Sequence, residues 1–254
     1  SIGWKGIFIV LLILGVLLLF SNLHFKESLS VDNRKRGNLK SLVSGFGIVL
    51  KNRRYVYYVL QMGFAMGVLF ANISSSPFIV QQHYGFSAFE FSLFFGINAL
   101  AIGLAAGLSV KFKNPEHAMF LGSVGMTMMS AVEFVILSNE YHFAVYEAVL
   151  FVLLFSMGLT FTASTTLAMD CERANSGTAS ALFGAAGFAF GGIVSPLVGL
   201  GDILSTTGLI FFVCSVCSLC FSVLAMNQTH TNLWGSFKCK MGPVTRFVFL
   251  RREK

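Results

Sequence analysis

FAVYEAVLFVLLFSMGLTFTASTTLA, residues 143–168, carries a single charged side chain, Glu147. As a helix rising 1.5 Å per residue, this run extends about 39 Å, enough to cross a hydrocarbon layer roughly 30 Å thick. Apolar residues follow one another without the alternation that a barrel strand shows. The segment therefore predicts a transmembrane helix, and six more runs of the same kind flank it. They are Ile7–Leu23, Tyr55–Ser76, Phe91–Val110, Ala118–Leu137, Gly177–Gly199 and Thr207–Met226.

The whole chain has the same character. Its 254 residues are 55% hydrophobic and 11% charged, and 28 of them are phenylalanine. A soluble domain carries about 25% charge, so the polar residues here are too few to cover a water-soluble surface. The same composition excludes disorder, and five cysteines, an odd number, do not make a disulfide framework. The fold class is an all-α membrane protein with seven transmembrane helices.

Lysine and arginine predict how those helices point, because they are retained on the cytoplasmic side. Residues 24–54 hold eight: Lys26, Arg34, Lys35, Arg36, Lys40, Lys51, Arg53 and Arg54. Connector 77–90 holds none, 111–117 holds Lys111 and Lys113, 138–142 none, 169–176 Arg173, 200–206 none, and the tail six. Placing the occupied connectors inside puts 17 of 18 basic residues in the cytoplasm and leaves Lys5 outside. The chain then starts outside and ends inside. Its net charge of +7 suits anionic inner-leaflet lipid and needs no nucleic acid.

Local signals mark the boundaries. Ser87-Ala-Phe-Glu90 reads as a capping box opening span three. Asn114-Pro115-Glu116 supplies an N-cap, a proline at the first helical position and an early acid for span four. Leu39, Leu42, Val43, Phe46, Val49 and Leu50 recur at helical spacing within 38–50, as in a helix lying on the membrane face. Sliding the chain by 88 positions lays span three on span six, with Phe95-Gly96 on Phe183-Gly184, Gly103 on Gly191 and Gly107 on Ser195. Under the topology above these two spans run in opposite directions. An inverted repeat, the architecture of many secondary transporters, has that property. Small-residue stripes (Gly63/Gly67/Ala71, Ala99/Gly103/Gly107, Gly184/Gly191/Ser195) allow close helix approach, as static packing or as moving interfaces.

Three stretches resemble the Bcr/CflA branch of the major facilitator superfamily, twelve-span drug/proton antiporters. They are GWKGIF…LLILGVLLL…KESL within 3–29, residues 51–100 from KNRRYVYYVLQMGF to FFGINAL, and RANSGTASALFGAAGFAFGGIVSPLVGL, 173–200. The resemblance covers about residues 1–226. It implies that 1–23 is the last helix of an amino-terminal half and 24–54 a basic cytoplasmic linker with an interfacial helix. Residues 55–226 would then be the six-helix carboxy-terminal half, two inverted repeats of three, and 227–254 a basic cytoplasmic tail. Gly191-Gly-Ile-Val-Ser195-Pro196-Leu197 is similar to the family's GxxxGPL, with Ser195 in place of glycine. The resemblance also implies proton-coupled efflux of drugs or related amphiphilic molecules through a bacterial inner membrane. The implied partners are a small-molecule substrate, membrane lipid and the missing amino-terminal half, and no cofactor beyond the proton gradient.

Within the spans the ionisable carboxyls are Glu133 and Glu147, both about five residues and about 7 Å from connector 138–142. Either they face one another and share a proton, or each reaches up to the headgroups. On the helices that line the cavity in the resembled family, Glu147 is the proton-coupling candidate. Candidate substrate contacts are Gln61, Phe64, Asn72, Asn98, Thr162, Thr165 and Thr166. An amide in hydrocarbon needs a partner, whether another helix, water or ligand. Asp170, Glu172 and Arg173 follow span five, where an acid and Arg173 would form an inner gate; Gly191, Ser195 and Pro196 are candidate packing residues for that movement. Cys214, Cys217 and Cys220 mimic metal spacing on an apolar helix without a histidine or carboxylate beside them. The five histidines fall singly at span ends or in loops, and no nucleophile–base pair or phosphate loop occurs, so an enzyme is not expected. A complete seven-helix receptor is the alternative. Against it, span seven has no lysine for a Schiff base, and connectors 111–117 and 169–176 are too short to grip a partner.

Overall fold

A computed structural model describes residues 5–25 and 39–240, with backbone alone for 39–43 and 229–240. The basic residues of 26–38 and the last fourteen residues of the expected tail, 241–254, lie outside the described residues. Residues 1–41 and 42–254 form two separate compact units. The first holds α1 (Lys5–His24), which has no buried residue and is apolar on every side.

The second unit holds the end of α2 (Leu39–Leu50) and then α3 (Arg53–Pro77), α4 (Ala88–Ser109), α5 (Pro115–Ser138), α6 (Phe143–Cys171), α7 (Ser176–Leu197) and α8 (Ile203–Lys240). Among the described residues seven helical segments are long and apolar enough to cross a membrane, and the elements are all helical. Each expected span is present with its ends moved by a few residues, save that α8 continues fourteen residues past Met226 to Lys240. Another extension follows Pro77. Proline lacks an N–H, which suggests a helix stop at Ser76, yet the chain continues as a π-helical turn over Phe78–His83. Gly85 ends this segment with φ of 76°, a conformation that costs glycine little.

Caps start the helices where polar side chains precede apolar runs. Ser87 Oγ accepts from the Glu90 N–H, and Glu90 Oε2 accepts from the Ser87 N–H at 2.8 Å. Asn114 accepts from the Glu116 N–H at 3.0 Å, and Asn52 from the Tyr55 N–H at 3.3 Å. Each bond satisfies a backbone donor that has no intrahelical acceptor.

Within the second unit, successive helices from α3 to α8 run antiparallel. One end of the bundle gathers the start of α3, the start of α5, the end of α6 and the start of α7, and is called here the Arg54 end. The other gathers the π-turn, the end of α5 and the start of α6, the Glu133 end. In the principal packing pairs α3 meets α6, α7 and α8, α5 meets α6 and α8, and α4 meets α6. Exchanging α3 with α6, α4 with α7 and α5 with α8 maps this set onto itself. Since α3 starts at the Arg54 end and α6 at the Glu133 end, the relation is an inverted repeat of three helices.

Its register differs from the sequence match. Asn98, Ala101, Ala105 and Ser109 are the buried residues of α4, whereas α7 buries Ala179, Phe183, Gly187, Gly191 and Val194. A shift of 85 carries Asn98 and Ser109 onto Phe183 and Val194; the glycine matches at 88 put an outward face of α4 on the inward face of α7. Gly103 and Gly107 accordingly have open space where a Cβ would be. By contrast Gly158 of α6 lies on Ile102 and Ala105 of α4, and Gly63 of α3 lies on Phe190 of α7. These are equivalent crossings in the two halves of the repeat.

Two apolar clusters fill the bundle. One, towards the Glu133 end, includes Ile79, Tyr146, Leu150, Leu153 and Phe211; the other, towards the Arg54 end, includes Val49, Tyr55, Tyr58, Met119 and Ala225. Val49 is the buried residue through which α2 joins the second cluster.

Candidate functional site

A buried polar group occupies the Glu133 end. α5 brings Glu133 there with no exposed surface, and neither carboxylate oxygen has a hydrogen-bond partner. Glu133 therefore does not reach the headgroups. α6 brings Glu147 and the fully buried Tyr146, and Glu147 is close enough to Glu133 for their charges to interact. α4 brings Asn98, whose Nδ2 donates to Glu147 Oε1 at 2.9 Å. Asn98 Oδ1, Glu147 Oε2 and the Tyr146 hydroxyl are buried without partners. Asn98, Tyr146 and Glu147 line a small cavity closed by Ser76, Phe94 and Leu150 among others. Just beyond the span, Tyr84 donates to the Tyr141 carbonyl at 2.8 Å and rests on Tyr146. Burial pushes the Tyr84 hydroxyl pKa upward, and the Glu133 charge adds to this.

A second polar group ties three helices at mid-membrane. Gln61 of α3 is fully buried; its Nε2 donates to Ser218 Oγ of α8 at 3.0 Å, and Ser164 Oγ of α6 donates to its Oε1. Ser218 Oγ also donates to the Gln61 carbonyl at 3.1 Å. Both functions of the amide are thus engaged by protein. Asn72, also buried, accepts from Ser76 Oγ at 2.8 Å. Phe64 stacks on Phe221 with ring centroids 5.8 Å apart and meets Phe190 edge-on at 4.8 Å.

Thr162, Thr165 and Thr166 lie on the second half of α6. Thr165 and Thr166 donate to the carbonyls of Phe161 and Thr162 one turn back. Thr166 is exposed, and Thr162 and Thr165 are half-buried. Thr166 lies on the side of α6 that exposes Val152. Asn98 and Glu147 meet at the Glu133 end, whereas the threonines sit further along α6, towards the Arg54 end.

At the Arg54 end the chain joins charges that sequence reading kept apart. Arg54 Nη2 donates to Glu116 Oε1 at 2.9 Å and Arg54 Nε to Tyr58 at 3.2 Å. Asn52 Nδ2 donates to Glu172 Oε1 at 2.8 Å, Asn175 donates to the other Glu172 oxygen at 3.3 Å, and Tyr55 donates to the Ala179 carbonyl at 2.7 Å. α3, α5, α6 and α7 are therefore pinned together here. Asp170 and Arg173 pair with each other at 2.9 Å, three residues apart and largely exposed. Gly191 of α7 is in contact with Phe70 of α3, and Ser195 and Pro196 lie in the last turns of α7.

Several participants carry no sequence signal. Glu116 reads as a helix-capping acid, Ser164 and Ser218 as ordinary small residues, and Tyr146 as one aromatic among many. Only their partners reveal them.

Comparison with known proteins agrees with this architecture. Residues 1–196 match the family model described as Major Facilitator Superfamily. Over 235 residues, 90% of this chain, the sequence is 35% identical to a protein of Bacillus subtilis (strain 168) described as the uncharacterized MFS-type transporter YdgK. The chain spans 58% of that relative's length.

Proposed function

From the premise that the chain belongs to the major facilitator superfamily, we propose that it is the carboxy-terminal part of a secondary active transporter that expels small amphiphilic molecules, drugs among them, in exchange for protons. Family membership points to transport and away from an enzyme or a seven-helix receptor. The reading is carried by one observation: two inverted three-helix units enclose a buried carboxyl–amide group, Glu133, Glu147 and Asn98, in segments that hold no lysine or arginine. A carboxyl in such a place is costly to keep charged without a partner, and such groups serve as proton relays in membrane transporters.

Roles follow from position. Glu147 takes up and releases the coupling proton. The face of α6 bearing Thr162, Thr165 and Thr166 contributes to the substrate path, with Phe64, Asn72 and Gln61 shaping the wall behind it and Asn98 its end near the carboxyls. Substrates of this kind would be held by aromatic faces and hydroxyls with few charges. Asp170 and Arg173, exposed at the Arg54 end, serve as an inner gate with the opposing half, and the close fit of Gly191 on Phe70 lets α7 move against α3, with Ser195 and Pro196 in its last turns. The membrane is the bacterial inner membrane, with the Arg54 end and the carboxy terminus cytoplasmic and residue 1 outside, as the distribution of basic residues supports. Alternating access needs both bundles, so the activity belongs to this chain joined to its missing amino-terminal helices.

The test uses the full-length protein in inverted membrane vesicles. A fluorescent lipophilic cation should be concentrated when a proton gradient is imposed, and a protonophore should abolish this. Glu147→Gln should reduce gradient-driven uptake at least tenfold while leaving substrate-induced quenching of tryptophan fluorescence. Uptake that is indifferent to both the gradient and Glu147 would remove proton coupling from the proposal.

A further inference from the structure

The contact between Asn98 and Glu147 lacks one hydrogen. Asn98 Nδ2 donates to Glu147 Oε1 at 2.9 Å, and each group keeps one more oxygen, Asn98 Oδ1 and Glu147 Oε2, buried without a donor. A carboxylate only accepts, but a carboxylic acid donates one bond. A primary amide and a carboxylic acid are complementary: each offers one donor and one acceptor to the other. The Tyr146 hydroxyl, in the same cavity, donates to neither oxygen. Ser76 Oγ is committed to Asn72, and no lysine or arginine lies between Arg54 and Lys111 or between Lys113 and Arg173.

We propose that Asn98 and Glu147 form a proton-operated latch between α4 and α6, in which one proton bound at Glu147 Oε2 is donated to Asn98 Oδ1 and adds a second hydrogen bond between the two side chains. The proton comes from hydronium in the aqueous phase, whose O–H bond breaks as the Glu147 Oε2–H bond forms, leaving water; the only other change is the hydrogen bond to Asn98 Oδ1. The inference deepens the proton-coupled reading above, on which its role in transport rests.

The position of the pair makes the latch consequential. α4 packs principally on α6, and its buried residues are Asn98, two alanines and Ser109. Ser109 makes a second polar contact across this interface, donating to the Leu159 carbonyl at 3.4 Å. Asn98–Glu147 is the side-chain pair at the Glu133 end. When it is protonated both acceptors are satisfied, and α4 is held at that end. When it is not, both acceptors stay buried without a donor, an arrangement that favours separation. Proton binding is thereby converted into movement of one helix, and Asn98 is a positioning residue.

Other titratable groups at this end are accounted for. On α5 these are Glu133, which has no partner, and Glu140 in the turn that follows. On α6 they are Tyr146 and the rim residue His142, whose Nδ1 caps the Ala144 N–H. Beside α3 they are His83 and Tyr84, which meet edge to face. On α4, Glu90 is bound to Ser87. None of these, nor Tyr141 in the α5–α6 turn or Asp202 at the start of α8, donates to Asn98 Oδ1.

The experiment places spin labels at exposed Leu100 on α4 and exposed Val152 on α6, in the whole chain in lipid nanodiscs, and reads their distance distribution at acid and alkaline pH. The unsubstituted pair should give two distributions, one for each pH. Glu147→Gln, whose amide can donate to Asn98 Oδ1 permanently, should show the acid distribution at both pH values. Asn98→Ala, and independently Glu147→Leu, should show the alkaline one at both. Identical distributions in all variants, or Glu147→Gln and Asn98→Ala falling together, would overturn the latch. A shift to the acid distribution when sodium replaces choline at alkaline pH would overturn it in favour of a metal cation. Distances that respond as expected in a full-length protein that moves no dye reject the transport reading alone, and pH-insensitive distances in a protein that pumps reject the latch alone.

Discussion

Glu133 and Glu147 lie equally near the connector 138–142, yet the folded chain treats them differently. Glu133 is enclosed with no partner; Glu147 borders a cavity and holds Asn98. Gln61 shows the opposite situation, a buried amide with every function engaged. Its replacement by alanine leaves Ser164 and Ser218 without their side-chain partner in a water-free layer. Interhelical bonds of this kind contribute about 1 kcal/mol each, so Gln61→Ala should lower stability by about 1–2 kcal/mol. Thermal unfolding in detergent, followed by cysteine accessibility, measures this, and no change would mean that water replaces the amide.

At the scale of helices, the small-residue stripes separate by what they touch. A Cβ at Gly158 would stand 2.5 Å from the Ile102 carbonyl oxygen and 3.0 Å from its Cα, both backbone atoms. At Gly63 it would meet the Phe190 ring, which can turn, and at Gly103 nothing within 4 Å. Gly158→Ala should therefore destabilise by about 1–3 kcal/mol as α4 is forced off α6, Gly63→Ala by less, and Gly103→Ala hardly at all. The same thermal assay ranks the three, and equal effects would mean that the α4–α6 crossing is not as tight as drawn. At the start of α8, Asp202 Oδ2 accepts from the Ser205 N–H at 2.9 Å. That backbone bond, with a further bond from the Ser205 side chain, holds the Asp202 carboxyl below the usual range. A lowered pKa contributes stability above the ordinary carboxylate value and loses it as pH falls through the lowered one. Amide exchange in the first turn of α8 should stay protected to below the ordinary range, then rise, and Asp202→Asn should remove that pH dependence.

For the bundle as a whole, the ionic contacts are unequal. Arg54 and Glu116 are largely shielded and belong to different helices, while Asp170 and Arg173 are exposed neighbours. A double-mutant cycle should give about 1 kcal/mol of coupling for the first pair and close to zero for the second. The proposed orientation has its own check. Single cysteines placed at Asp202 and at Lys113 in an otherwise cysteine-free chain should react differently with a membrane-impermeant maleimide applied to intact cells, the first labelled and the second protected. The reverse pattern would invert the assignment of the two ends.

Read alone, the amino-acid sequence determined the seven spans and the caps at Ser87 and Asn114, because partition into hydrocarbon and helix capping depend on residues close together in the chain. It also carried the family resemblance, in long local blocks. What it did not determine is how each helix is rotated about its axis. Three residues of register separate the glycine match at 88 from the packing match at 85, and that difference turns Gly103 outward. Rotation likewise brought Asn98 to Glu147, Gln61 to two serines and Glu116 to Arg54, and shut Glu133 away from the headgroups. Those pairings join residues 49 to 157 positions apart. They are set by how side chains interlock across helix interfaces, which only the tertiary structure decides.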